Sequence, residues 1–317
     1  MAGADTTVTR PDVDPGQPIE VTIPAGSSAR SIGTILADAG VVDSGRDFEL
    51  AARSDGVAES LAAGTYQLET GLGVDAALAI ILAGPEFETY DVLLREGLRI
   101  GEVIAEIEEQ TPFDASTLES ALTGGLVTSP LLQPGSGADL TDWEGLLFPA
   151  LYDFESDAGA EQILQRLADE MARRVAGLEF DGFSEYEALV VASIIEAETR
   201  VDADRPLVAS VINNRLEQGI PLQIDATILY AMDERGIGLT LDDLEIDSPY
   251  NTYLNGGLPP TPIGVPGQAS LDAVADPAET AFIYYVLTSA DGTHSFTADY
   301  NEFLQWKDKA KAEGIFP

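Results

Sequence analysis

No cysteine occurs among the 317 residues, which excludes disulfides, thiolate catalysis and cysteine-based zinc sites. A single histidine, His294, makes a multi-histidine metal site impossible and leaves a Ser-His-Asp triad only if it is built around that one ring. Cations are scarce: 16 Lys plus Arg stand against 55 Asp plus Glu, a net charge of -39. A chain so acidic repels nucleic acid and anionic lipid headgroups, so neither is expected as a partner. The acids are scattered rather than run together, which reads as a strongly charged, solvated surface. Also missing are a glycine-rich phosphate loop of the Walker type and a Gly-x-Ser-x-Gly elbow. No apolar run reaches the roughly 18 residues that would suggest a membrane span. No metal or organic cofactor is called for, and the chemistry falls to carboxylates.

What is present fits a two-domain α+β chain. With 45% hydrophobic residues over this length, two cores can be buried. Residues 1–18, rich in Asp, Thr, Pro and Gly, read as a disordered leader. Ile19 to Gly26 alternates as a strand, and Ser27 or Ser28 can cap a helix with Ile32, Ile35, Leu36 and Ala39 on one face, closed by Gly40. The pattern returns some seventy residues on: setting Gly26 over Gly97 puts Ile32 on Val103 and Leu36 on Ile107. Gly64 to Thr70 reads as a strand and Val74 to Leu82 as a helix between the two copies. After a loop at Leu131 to Asp139, Gln162 to Val175 forms an amphipathic helix with Ile163, Leu164, Leu167 and Met171 inward. The expected boundary lies near Ser156, giving an N-terminal region 19–155 and a helix-rich C-terminal domain 156–317 with a few strands, such as Ala281 to Leu287 and His294 to Thr297.

The most informative residue is Glu198. It ends the apolar helix Ala188 to Glu198, and helical steps of three, four, seven and eight back from it reach Ile195, Ile194, Val191 and Val190. Its neighbour Glu196 looks back at Ser193, Ala192 and Leu189. Residues two apart point in nearly opposite directions, so one acid alone can share the greasy stripe, and that one is Glu198. A carboxyl against apolar walls loses hydration of its charged form and can hold a proton near neutral pH for a general-acid step. The competing reading turns Glu198 into solvent or pairs it with Arg200 or Arg205.

The next sixty residues are dense in amides, tyrosines and turn formers, as suits a sugar-binding groove. A second amphipathic helix, Asp204 to Leu216, has Leu207, Val211 and Leu216 inward. The signatures Glu144-Gly-Leu-Leu-Phe-Pro149 with Tyr152, Ala192-Ser-Ile-Ile-Glu-Ala-Glu-Thr199, Val208-Ala-Ser-Val-Ile-Asn-Asn-Arg-Leu216, Leu222-Gln-Ile-Asp-Ala-Thr-Ile-Leu-Tyr230, Ser248-Pro-Tyr-Asn-Thr-Tyr253, Gly257-Leu-Pro-Pro260 and His294-Ser-Phe296 follow in order. Together they resemble the YceG-like endolytic murein transglycosylases, from about Ile19 to Trp306. Two departures stand out: the family often has Pro where this chain has Ala226, and a late His where this chain reads Tyr300 to Phe303.

The resemblance implies LysM-like strand-helix-helix-strand modules in the N-terminal region, serving glycan contact or acting as a spacer. It implies cleavage of peptidoglycan glycan strands, with the catalytic acid in the Glu-x-Glu pair. That role is carried onto Glu198, with Glu196 as the fallback. Asn214, Gln223, Tyr250, Asn251 and Tyr253 are candidates for holding sugar, though each can instead cap a turn or fill the core. Asp225 is a possible second carboxylate; if it activates water, the enzyme is a muramidase-type hydrolase, and a noncatalytic glycan-binding scaffold is the third reading. The resemblance also implies work beside the cell-wall synthesis machinery, on the extracytoplasmic face of the membrane, behind a single N-terminal anchor. No such anchor segment occurs in these residues, so the start is read as trimmed or misassigned, with a soluble protein as the other reading.

Overall fold

A computed structural model describes residues 14–85, 89–236 and 238–315. The chain divides into two compact units, Met1–Glu88 and Thr89–Pro317.

In the first unit, strand β1 (Pro18–Ile23) leads through Gly26, whose φ of +77° suits glycine, into helix α1 (Ala29–Asp38). Helix α2 (Gly45–Ser54), strand β2 (Gly64–Glu69) and helix α3 (Val74–Ala83) follow. Ser28 and Ser44 cap α1 and α2 through the N–H groups of Ser31 and Asp47. β1 and β2 pair antiparallel with Val21 opposite Tyr66, and their inward residues close over Ile32, Leu36, Phe48 and Ile81. Helices α1 and α2 cross at two glycines. A Cβ on Gly33 would sit 2.3 Å from the Gly45 carbonyl oxygen, so the backbones meet where no side chain fits. The expected leader falls mainly on residues 1–13, outside the described residues. Its last part is ordered: Gly16 N–H donates to the Thr70 carbonyl at 2.7 Å and Thr70 Oγ1 to the Asp14 carbonyl at 2.6 Å, with Pro18 already in β1.

The second unit opens with the echo. Strand β3 (Thr89–Leu93), Gly97 at φ +75°, helix α4 (Ile100–Gln110), helix α5 (Ala115–Thr123) and strand β4 (Leu151–Glu155) repeat the order strand, helix, helix, strand. β3 pairs antiparallel with β4, Val92 opposite Tyr152. Ile32 and Leu36 in one copy, and Val103 and Ile107 in the other, are fully buried. The break expected near Ser156 lies inside this unit. The β3–β4 ladder spans residues 89–155, and Ile104, Leu118 and Trp143 share one core with Leu164 and Val191 further on.

Helix α6 (Ala160–Ala176) packs on α5 and on α7 (Glu185–Glu198), which Ser184 and Glu187 start with a capping box. α7 is buried on every side: all residues from Ala188 to Ile195 are below the surface. The expected single stripe is therefore replaced by a central helix, walled by α6, α8 (Arg205–Glu217), α9 (Asp225–Ala231) and α10 (Gln268–Ala275). On α8 the buried positions are Val208, Ala209, Val211 and Ile212, while Leu207 and Leu216, expected inward, are half-buried. Strands β5 (Tyr284–Leu287) and β6 (His294–Thr297) form a hairpin packed by helix α11 (Tyr300–Ala312). β5 starts three residues later than the sequence pattern suggests, because the carbonyls of Thr280, Phe282 and Ile283 are taken by side chains of α8. Among the described residues no helix is long and apolar enough to cross a membrane.

Candidate active site

Glu196 and Glu198 leave α7 in opposite directions. Glu196 turns to the N-terminus of α8 and to α10. Arg205 donates to it from Nη1 at 3.0 Å and Nη2 at 3.2 Å, and Gly267 N–H and Ser270 Oγ donate at 3.0 and 2.8 Å. The side chains of Glu196 and Arg205 are each 9% exposed. Both oxygens of Glu196 are thus committed to protein donors, the pattern of a structural ion pair.

Glu198 turns to α9 and the β5–β6 hairpin. The Tyr285 hydroxyl donates to its Oε2 at 3.0 Å, and the backbone N–H of Ala226, in the first turn of α9, also reaches it. Burial pushes the Glu198 carboxyl up to about 7, helped by the neighbouring charge of Asp225 and opposed by the Tyr285 and Ala226 hydrogen bonds. At neutral pH this carboxyl can both give and take a proton.

Behind Glu198 the hairpin is braced. Tyr285 meets the edge of His294 with ring centroids 5.6 Å apart, and Asp204 accepts from the His294 backbone N–H at 2.8 Å and lies 3.0 Å from its Nδ1. In front, Asp225 accepts from the Tyr253 hydroxyl at 2.5 Å. Burial and the Asp225 charge hold the Tyr253 phenol well above its usual range. Gln223 is exposed and adopts a φ of +52°, uncommon for a residue with a side chain, and its N–H donates to the Thr252 carbonyl at 3.0 Å. Ile224 N–H and Thr227 Oγ1 both bind Thr252 Oγ1, so the turn before α9 is strapped to the loop that carries Tyr253.

Of the sequence-derived candidates, Gln223, Asp225 and Tyr253 lie on this strapped turn and loop beside Glu198. The Asn214 Nδ2 and both amide groups of Asn251 are bonded within the protein. Asn214 Nδ2 donates to the Thr280 and Phe282 carbonyls at 3.0 and 2.8 Å. Asn251 is fully buried, donating to the Leu244 and Ile246 carbonyls and accepting from the N–H groups of Tyr253 and Leu254. Each pins a loop. Tyr250 packs on Tyr230 with centroids 4.8 Å apart, shares a hydrogen bond with Thr261 at 2.8 Å, and borders a cavity of about 540 Å³.

Sequence reasoning missed Tyr285, which sits in a run read as an ordinary strand. The available signal was its place opposite the strand bearing the lone histidine. Arg215 was missed as well: it donates to the carbonyls of Ile283, Pro221 and Leu222, tying the residue before β5 to the turn before α9. Among the described residues no group of three or more His, Asp or Glu is placed to hold a metal.

A helix-end carboxyl pushed up to about 7, backed by a tyrosine and faced by a second carboxylate, is chemically suited to general acid–base work in this α+β chain. The model of the YceG-like family matches residues 21–309, and the chain belongs to that family. It is 31% identical over 305 residues to the endolytic murein transglycosylase of Bacillus subtilis (strain 168), covering 92% of this chain and 84% of that one. With the protein of the same name from Streptococcus pneumoniae it shares 27% identity over 308 residues, 86% of this chain but 55% of the relative's length. The crystal structure of a YceG-like protein from Listeria monocytogenes superposes with a TM-score of 0.59 at 29% identity, covering 92% of this chain and 99% of that one.

Proposed function

We propose that this protein is an endolytic lytic transglycosylase that cuts the bond between N-acetylmuramic acid and N-acetylglucosamine within nascent peptidoglycan strands. The observation that carries this reading is the Glu198 carboxyl, pushed up to about 7 and held by Tyr285 and Ala226. Membership of the YceG-like family, and the names of its Bacillus and Streptococcus relatives, support the substrate class.

Neutral Glu198 gives its proton to the glycosidic oxygen as the bond to muramyl C1 breaks. Positive charge develops on the ring, and the negative Asp225 nearby favours it. The Glu198 carboxylate then takes the proton of the same sugar's C6 hydroxyl while O6 bonds to C1. Glu198 ends protonated again, one glycosidic bond is exchanged for another, and no water is consumed. One acid–base carboxyl suffices because the nucleophile belongs to the substrate, whereas most glycosidases use two. In this reading Gln223 and Tyr253 border the reacting sugar. The first strand-helix-helix-strand copy is LysM-like and meets glycan outside the cytoplasm, where the enzyme ends strands made by the synthesis machinery.

Mass spectrometry of the product ends tests this. Uncrosslinked strands treated with the parent protein are expected to acquire internal cuts with 1,6-anhydromuramyl ends. Reducing ends, lost together with Asp225, would move the assignment to a hydrolase. Binding without cleavage would leave a scaffold.

A further inference from the structure

The cavity of about 540 Å³ lies in the second unit and takes no part in the chemistry above. Its walls include Gly101 at the start of α4, Thr141 and Glu144 from the segment before β4, Tyr230 near the end of α9, and Ser248 and Tyr250 from the following loop. Two of these elements also build the Glu198 site. Asp225 opens α9, and Tyr230 lies five residues on, about 7.5 Å along the helix axis. Ser248 and Tyr250 lead directly to Tyr253, the donor to Asp225. The cavity is therefore built on the same helix and loop as the Glu198 site, further along α9.

We propose that this cavity is a second glycan subsite, holding a neutral amino-sugar unit of the strand that is cut at Glu198. The proposal rests on the transglycosylase reading for the identity of the strand. The size falls in the range of sites that enclose small ligands. Half of its polar lining residues carry hydroxyls, Thr141, Tyr230, Ser248 and Tyr250, which matches the hydroxyl and acetamido groups of such a sugar; those of Tyr230 and Tyr250 already bond Glu144 and Thr261, which fixes their direction. Its charges argue against a carboxylate-bearing stem peptide as the occupant. Among the described residues the one lining cation, Arg99, already binds Asp233 through Nη1 at 2.9 Å and the carbonyls of Leu229 and Glu234 through Nη2. The acids Glu102, Glu144 and Asp233 complete the wall. Glu144 is itself held in place, accepting from Ile100 N–H at 3.0 Å and from the Tyr230 hydroxyl at 2.9 Å, so the floor is built before any ligand arrives.

Gly101 offers a clean test. It is exposed in the first turn of α4, and a Cβ added there meets nothing within 4 Å. A Gly101→Trp side chain can thus grow beside the cavity without straining the helix, and Thr141→Trp does the same from another element. Each is placed in the Glu198→Gln background, and binding to peptide-free glycan strands of increasing length is titrated alongside a thermal melt. With the melt unchanged, long strands are expected to bind about tenfold more weakly than to the Glu198→Gln protein, the size of a typical single interface anchor, while the shortest strands that bind are unaffected. Unchanged affinity for long strands in both variants overturns the subsite. So does equal weakening for all lengths, or a defect seen only on peptide-bearing strands, which assigns the cavity to the peptide. Because this readout needs no turnover, an error in the proposed reaction appears instead in the product ends of the parent protein.

Discussion

Two glutamates two residues apart meet different surroundings because a helix turns them apart. Glu198→Gln keeps the shape and removes the proton, so strand cleavage is expected to fall by about 10³-fold, with strand binding retained. Glu196→Gln removes the charge opposite the buried Arg205 and turns one of its acceptor oxygens into a donor; stability is expected to drop by about 3 kcal/mol in a denaturant melt, with the surviving folded protein still able to cut. In the proposed reaction the Glu198 proton must be present for the first step, so activity is expected to decline as pH rises through about 7. Tyr285 donates to the charged form and lowers that value. Tyr285→Phe is therefore expected to move the alkaline limb upward, by up to about one unit, while slowing turnover. An unmoved pH profile in this variant would mean that Tyr285 merely fills space. The opposite orientation of the two acids was legible in the sequence, since it depends only on local helix geometry. The commitments of Asn214 and Asn251 were not: an amide in a sequence announces donors and acceptors, and only the fold says whether a carbonyl, over sixty residues away for Asn214 and a few residues back for Asn251, has taken them.

At the scale of elements, helices α4 and α9 meet through one buried acid. Glu144 is 1% exposed and burial pushes it up to about 7, against hydrogen bonds from Ile100 and Tyr230 that lower it. A carboxyl raised on folding contributes stability that is fully present below its unfolded value of 4.5 and is lost as pH rises through the folded one. The melting temperature is thus expected to fall between pH 4.5 and about 7, by the equivalent of about 3 kcal/mol from this group, and Glu144→Gln should flatten that slope. In the first unit, Gly33→Ala forces the α1–α2 crossing apart and should cost about 1–3 kcal/mol, read as lost hydrogen-exchange protection in α1 and α2. The repeated strand-helix-helix-strand order could be read from the sequence, because caps, glycine turns and periodicity are local signals. All-round burial of α7 could not, because its walls come from α6, α8, α9 and α10, and periodicity reports one face of one helix. The compact units part at Glu88 and Thr89 and not near Ser156 for a related reason: β3 finds its partner some sixty residues downstream.

For the whole molecule, the net charge of -39 sets a cost on compactness. Raising the ionic strength from about 0.01 M to about 0.15 M shortens the screening length from roughly 30 Å to roughly 8 Å and should raise the melting temperature by several degrees. A flat response would show that the acids are already neutralised by their local partners. The site is also a whole-molecule product: Glu198, Asp225, Tyr253 and Tyr285 are gathered from α7, α9, a loop and a hairpin, so residue order suggested the ingredients and the tertiary fold supplied the distances. The central claim is that Glu198, and not Glu196, moves the proton that cuts the strand. Its most direct test is the initial rate of release of anhydromuramyl ends by the parent protein, Glu198→Gln and Glu196→Gln, each normalised to its folded fraction. The account predicts loss in Glu198→Gln alone; full activity there, with loss in folded Glu196→Gln, would contradict it.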